Sequence, residues 1–328
     1  MNQRTILITG GNGYVGKQIV AALAGRAKMV LSSDVRATPD QERLSGVTYI
    51  QSDIRDKNLA EEFRKFEINT VVHLASIVTP GKKSNREFEY SVDVDGTRNV
   101  LEACIATGVK QIVVSSSGAA YGYHADNPAW LKESDPIRGN QEMPYSWHKR
   151  LVEEMLSDYR VKHPQLKQTI FRIGTVLGKT VNNQITSLFE KPRMIGIRGS
   201  DSPFVFIWDH DLVSIFLQAI ETQREGIYNV AGSGALSIQE IAARLGKPVL
   251  KLPAGLVRNA IRVLRVLGLT QYTPDQTKFI QYRPVLDNTK LRESFGYVPK
   301  KTSAEVFELW METHDYPKGN AQSKTTRP

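Results

Sequence analysis

The 328-residue chain is 41% hydrophobic and 23% charged, a balance that excludes a low-complexity or fibrous protein. Its net charge of +9 admits an anionic partner, but the basic residues are scattered without an aromatic platform, which argues against nucleic acid. One cysteine, Cys104, excludes an intramolecular disulfide, and no uncharged apolar run is long enough to span a membrane.

Read from the start, "RTILITG" (4–10) predicts a strand and residues 14–26 a helix with Val15, Ile19, Val20 and Leu23 as apolar positions. Further strands are predicted at 27–34, 47–54, 69–76 and 110–117, with a helix at 92–108. Cys104 lies in that helical pattern and reads as a buried, inert thiol. Continuously apolar strands separated by helices predict a parallel sheet covered on both faces, the doubly wound Rossmann architecture of the α/β class. A polar loop at 122–144 leads into a helix, and "KQTIFRIGTVLG" (167–178) predicts another strand. Beyond it, 202–211 and 226–232 read as strands returning to the sheet, with a helix between them. The expected division is a dinucleotide-binding domain at 1–178, to which 203–232 return, and a smaller C-terminal substrate lobe from 179–202 and 233–315. The stretch 316–328 has almost no apolar residues and predicts a disordered tail. The start "MNQRTILITGG" shows no signal-peptide pattern, so the expected location is cytoplasmic.

Chemistry concentrates in two short stretches. In "ITGGNGYVG", Gly10, Gly13 and Gly16 stand between a strand and a helix, where glycines permit a tight turn and close backbone approach to a pyrophosphate. Tyr14 and Val15 open that helix, whose N–H groups and dipole favour phosphate. Asp34, 24 residues beyond Gly10 at a strand end, is placed to bind ribose hydroxyls and to repel a 2′-phosphate. That favours NAD over NADP, although Arg36 close by could accept the phosphate. In "YSWHK", Tyr145 and Lys149 lie four residues apart, on one helix face. An ammonium there is expected to lower the phenol pKa and fit the tyrosine for acid–base work.

Taken together, these stretches resemble the extended short-chain dehydrogenases/reductases, also called the NAD-dependent epimerase/dehydratase family. The resemblance rests on TGxxGxxG at 9–16, Asp34, "SDIRD" with Asp53 and Ile54, and "HLAS" with Leu74, Ala75 and Ser76. It continues through "VDGTRNVLEA", "SSSGAAYG", "YSWHK", "FVFIWDHD", "GIYNVAGSGALSIQEIA" and "LDNTKLRESFGYVP" and covers nearly the whole chain. It implies that Asp53 and Ile54 contact adenine and that Ser117, Tyr145 and Lys149 converge beside the nicotinamide. Tyr145 would then exchange a proton with the substrate oxygen and Lys149 would hold the nicotinamide ribose. Ser117 would hydrogen-bond the reacting oxygen, a role Ser115 or Ser116 could share.

Departures from the family pattern shape the expected reaction. Gly118 and Ala119 replace the Asp-Glu pair of dehydratases. Thr175 and Ser202 stand where nucleotide-sugar epimerases carry diphosphate-binding Asn and Arg, and Asp93 replaces an Asn. The expectation is therefore an NAD-dependent oxidoreductase acting on a secondary alcohol or ketone of small-molecule size. The alternatives are a nucleotide-sugar epimerase using transient oxidation and a non-catalytic NAD-binding sensor. A homodimer stays open as a partner state. No metal is expected, since the histidines, His210 included, lack ligand spacing; His73 reads as buried and His148 as exposed on the far face of its helix. Substrate contacts are expected from 79–90, 122–144, 180–200 and 255–283. Within the last of these, the basic, apolar stretch 255–269 reads as a lid over the cleft in preference to a membrane-surface helix.

Overall fold

In a computed structural model that describes residues 1–79, 85–269 and 273–316, short β-branched runs form the strands. They are β1 (Thr5–Thr9), β2 (Met29–Asp34), β3 (Val47–Gln51), β4 (Thr70–His73), β5 (Gln111–Ser117) and β6 (Lys167–Ile173). After them come β7 (Thr175–Leu177), β8 (Met194–Ile197), β9 (Phe206–Trp208), β10 (Gly226–Val230) and β11 (Val249–Leu252). The helices of the first part are α1 (Tyr14–Leu23), α2 (Leu59–Lys65), α3 (Arg86–Tyr90), α4 (Gly96–Thr107) and α5 (Pro144–Lys162). Those of the second are α6 (Gln184–Phe189), α7 (Asp209–Thr222), α8 (Ile238–Arg244), α9 (Ala254–Val266), α10 (Thr277–Gln281) and α11 (Ser303–Thr313).

Seven strands form one sheet in the order β10-β6-β5-β4-β1-β2-β3, every pairing parallel. Strand order reverses between β1 and β4, and a doubly wound sheet binds its ligand at the strand C-termini beside such a switch. One face packs on α1 and α7 through Ile19, Val20, Leu212 and Phe216. The other packs on α2, α4 and α5 through Phe63, Val100, Leu101, Val152 and Leu156. Cys104 is fully buried there, and burial pushes its thiol well above the usual range. A C-terminal lobe has its own aromatic core, in which Phe189, Phe206, Phe307 and Trp310 meet edge-on or stacked.

Three local details differ from the sequence reading. The strand expected at 167–178 divides at Gly174, where an added Cβ would lie 3.0 Å from Val205 Cγ2. The chain then leaves the main sheet, and β7 pairs with β9, so only β10 of the two returning strands joins that sheet. The helix expected at 92–108 is interrupted: a π-helical turn, Ser91–Asp95, joins α3 to α4 and carries Asp93. Such turns often occur at functional sites. Tyr316 is ordered, stacking on Trp310 with ring centroids 5.4 Å apart; the rest of the expected disordered tail lies outside the described residues.

Candidate active site

The glycine turn is built for backbone approach. Gly10 holds φ +71°, and a Cβ there would sit 2.9 Å from Ala75 N. A Cβ on Gly16 would lie 2.3 Å from Gly10 O, so this glycine lets α1 start against the turn. Gly13 caps α1 with no side-chain hydrogen bond, and the first turn holds no acidic residue, leaving the helix's leading N–H groups for an anion. Asp34 ends β2 beside this turn; its carboxylate accepts from Asn12 N–H and Arg36 N–H, both at 3.1 Å. The Arg36 side chain is 72% exposed, with Nε 3.4 Å from Asp34. A helix terminus without side-chain caps, a cradle that a Cβ would fill and a carboxylate at the next strand end together fit a dinucleotide such as NAD. Leu74, Ala75 and Ser76 follow β4 across from Gly10, and Ser76 Oγ is buried without a partner among the described residues. Ile54 is buried against Gly96. Asp53 is engaged by Arg55, whose Nη2 lies 2.6 Å away, and this pairing holds its carboxyl below the usual range.

At the end of β5, Ser117 opens a 3-10 turn, its Oγ accepting from Ala119 N–H at 3.2 Å. α5 begins at Pro144 and brings Tyr145 and Lys149 to the same place: the Tyr145 phenol is hydrogen-bonded to Ser117, and Lys149 Nζ lies 5.5 Å from the Tyr145 ring centroid. Lys149 is buried and donates to Ser115 O at 3.0 Å, whereas Ser115 Oγ turns away to His73 O. Ser116 does not face this site; it donates to Glu153 at 2.5 Å inside a buried cluster in which Arg172 grips the same carboxylate.

The electrostatics reverse one expectation. Desolvation pushes the Tyr145 phenol up to about 12, and the Asp93 charge acts in the same direction, against the Ser117 hydrogen bond. Burial also lowers the Lys149 pKa, against the Asp93 and Glu153 charges. His73 is buried between Thr9 and Thr97 hydroxyls, and desolvation lowers its pKa to about 3, keeping it neutral.

His148 is not on an exposed face. It is 2% exposed, its Nδ1 lies 2.9 Å from Asp93 Oδ2, and Tyr90 packs edge-on against its ring. Asp93 Oδ1 accepts from Ile77 N–H at 2.8 Å, so both carboxylate oxygens are used. The helical register carried the signal: His148 lies four residues before Val152, on the buried stripe of α5.

Arg283 ends the 255–283 stretch expected to contact substrate, although nothing in the sequence singled it out. Its guanidinium carbon lies 3.9 Å from the Phe204 ring centroid and 4.5 Å from that of Phe279. Nη1 is buried with no partner among the described residues, and desolvation lowers the group to about 10, which leaves it cationic at neutral pH. Phe279 packs on Tyr123, in an apolar cluster that includes Ala119, Met143, Tyr145 and Tyr282. The unpaired cation is thus two aromatic side chains from the Tyr145 phenol. A lone arginine before Pro284 has no spacing that would single it out in the sequence.

Comparison with known proteins agrees with this geometry. The sequence profile of the NAD dependent epimerase/dehydratase family matches residues 6–231. UDP-glucose 4-epimerase of Yersinia pestis is 27% identical, over 97% of this chain and 98% of its own. A 3beta-hydroxysteroid-dehydrogenase/decarboxylase isoform 2 of Arabidopsis thaliana is 24% identical, over 99% of this chain and 64% of its own. The NAD complex of Thermus thermophilus UDP-glucose 4-epimerase superposes with a TM-score of 0.71 at 25% identity, covering 95% of this chain and 99% of that one. The chain belongs to the NAD dependent epimerase/dehydratase family and is an NAD-binding oxidoreductase/epimerase enzyme.

Proposed function

We propose that the enzyme is an epimerase of a nucleotide-linked sugar that acts by transient oxidation of one secondary alcohol. The observation that carries this reading is Arg283. A guanidinium nitrogen enclosed without a partner is costly, and an anionic group of the substrate would relieve it with charge-assisted hydrogen bonds. The likeness to UDP-glucose 4-epimerases along almost the full chain supports the same substrate class. A bound NAD would supply the hydride acceptor for the alcohol carbon and the donor that restores it. Tyr145 would take the alcohol's proton as phenolate while the hydride leaves and give it back when the alcohol re-forms, Ser117 would donate a hydrogen bond to that oxygen, and Lys149 would hold the nicotinamide ribose. Gly10, Gly13, Tyr14, Val15 and Gly16 receive the pyrophosphate, with Asp34 on the adenine ribose.

A second reading, dehydrogenation of an apolar alcohol, is favoured by the cluster of Tyr123, Met143, Phe279 and Tyr282 around Tyr145 and by Thr175 and Ser202. The two separate in one experiment. The enzyme is incubated with NAD and UDP-glucose or UDP-N-acetylglucosamine, and both the 4-epimer and NADH are measured. Epimer without net NADH is expected. Failure of UDP to bind, with NADH accumulating on an apolar secondary alcohol, would replace the proposal by the second reading. NAD binding with no turnover of any alcohol, ketone or nucleotide sugar would leave only the sensor.

A further inference from the structure

Helix α9 has no buried residue over its full length, although its sequence is strongly amphipathic. Leu256, Val263, Leu264 and Leu267 are 41–63% exposed, and Val266 and Leu269 more so. The three arginines of this helix, Arg258, Arg262 and Arg265, pair with no acidic side chain among the described residues. The segment 246–269 also contains Lys247 and Lys251 and has no Asp or Glu. The strand pair that feeds the helix adds two exposed apolar side chains, Leu250 and Ile195, which are register partners on β11 and β8. A lid would bury its whole apolar stripe on the cleft; here Val257 and Ile261 are half-buried and the rest of the stripe is left in solvent.

We propose that α9 is an interfacial helix that docks the enzyme on an anionic lipid bilayer. Charge complementarity decides among the occupants. A two-fold contact with a second copy would set each arginine-bearing helix against another of the same sign, with no carboxylate in the segment to offset it. Anionic headgroups would instead pair with the arginines while the leucines and valines enter the acyl boundary. The helix is about 20 Å long, enough to lie along a surface and too short to cross the bilayer. α10 packs beside α9 and carries Phe279 of the cluster around Tyr145, so docking would hold the substrate lobe at the bilayer surface.

The test is sedimentation of the full chain with vesicles of phosphatidylcholine alone and of about three parts phosphatidylcholine to one part phosphatidylglycerol. Two variants are compared: Arg258→Gln with Arg262→Gln and Arg265→Gln, and Leu256→Ser with Val263→Ser and Leu267→Ser. All six positions are exposed, so both variants should fold, which NAD titration and circular dichroism check independently. Wild type is expected to pellet with the anionic vesicles only, and each variant, or salt of about 0.5 M, to lower the bound fraction at least about tenfold. Absence of pelleting with anionic vesicles would overturn the proposal, as would unchanged pelleting of the arginine variant. Doubling of the mass without vesicles, abolished by the serine variant, would reassign the face to a second copy.

Discussion

Replacing Arg283 by methionine should separate stability from substrate binding. Its guanidinium has one enclosed nitrogen with no partner among the described residues, a desolvation cost of about 1–3 kcal/mol. Against that stand two close cation–π contacts, with Phe204 and Phe279, each worth about 0.5–2 kcal/mol. Methionine removes the orphaned donor and keeps polarizable contact with both rings, so Arg283→Met should change unfolding free energy by no more than about 1 kcal/mol. Binding of UDP should respond very differently. Removing one partner of a buried charge pair costs about 2–5 kcal/mol, or roughly 30-fold to several thousand-fold in Kd. Calorimetric titration of UDP and urea denaturation of both proteins supply the two numbers, and NAD affinity, set by the glycine turn and Asp34, should not move. A variant destabilised by about 3 kcal/mol or more that still bound UDP like wild type would show that Arg283 serves the core and not a ligand.

Tyr145→Phe should leave NAD affinity nearly intact while turnover falls about 10²–10⁴-fold, as measured by steady-state kinetics beside cofactor titration. Asp34→Ala should weaken NAD binding by about 10- to 150-fold through loss of a charge-assisted hydrogen bond, with little effect on NADP binding. If NADP already binds wild type as well as NAD does, Arg36 overrides the carboxylate. Glu153→Gln should cost about 3–5 kcal/mol in urea denaturation, because Arg172 would remain buried without its charge partner. Alkali should also destabilise the protein: burial pushes Tyr121 and Tyr123 to about 12, so each favours the native state below pH 10 and loses that contribution, on the order of a few kcal/mol, as pH rises from 10 to 12. Phenolate absorbance and circular dichroism should therefore change together in that window.

What could be read in the sequence was local. The glycine turn, Asp34 and the Tyr145–Lys149 spacing each lie within one strand, one turn or one helix, so periodicity alone places their functional atoms. The parallel, doubly wound class was legible too, since continuously apolar strands alternate with helices along the chain. The π-helical turn at Ser91–Asp95 had no such signature, because the residues around it are compatible with an unbroken helix. Arg283 had none either. Its meaning depends on Phe204 and Phe279, brought around it by the tertiary fold, and on the lack of an ion-pair partner among the described residues.

The phenol shows where local reading fails in kind as well as in degree. Spacing establishes that Tyr145 and Lys149 are near one another, but the sign of a pKa shift depends on whether desolvation exceeds the attraction, and desolvation is a property of the assembled core. The departure at Asp93 obeys the same logic. An asparagine there could accept from Ile77 N–H through its one carbonyl oxygen, and that would leave only an amide nitrogen for His148. The carboxylate can accept from Ile77 N–H and from a protonated His148 Nδ1 at once. Asp93 and His148 are therefore one unit joined from two helices: register alone could place His148 on the buried stripe, but not opposite Asp93.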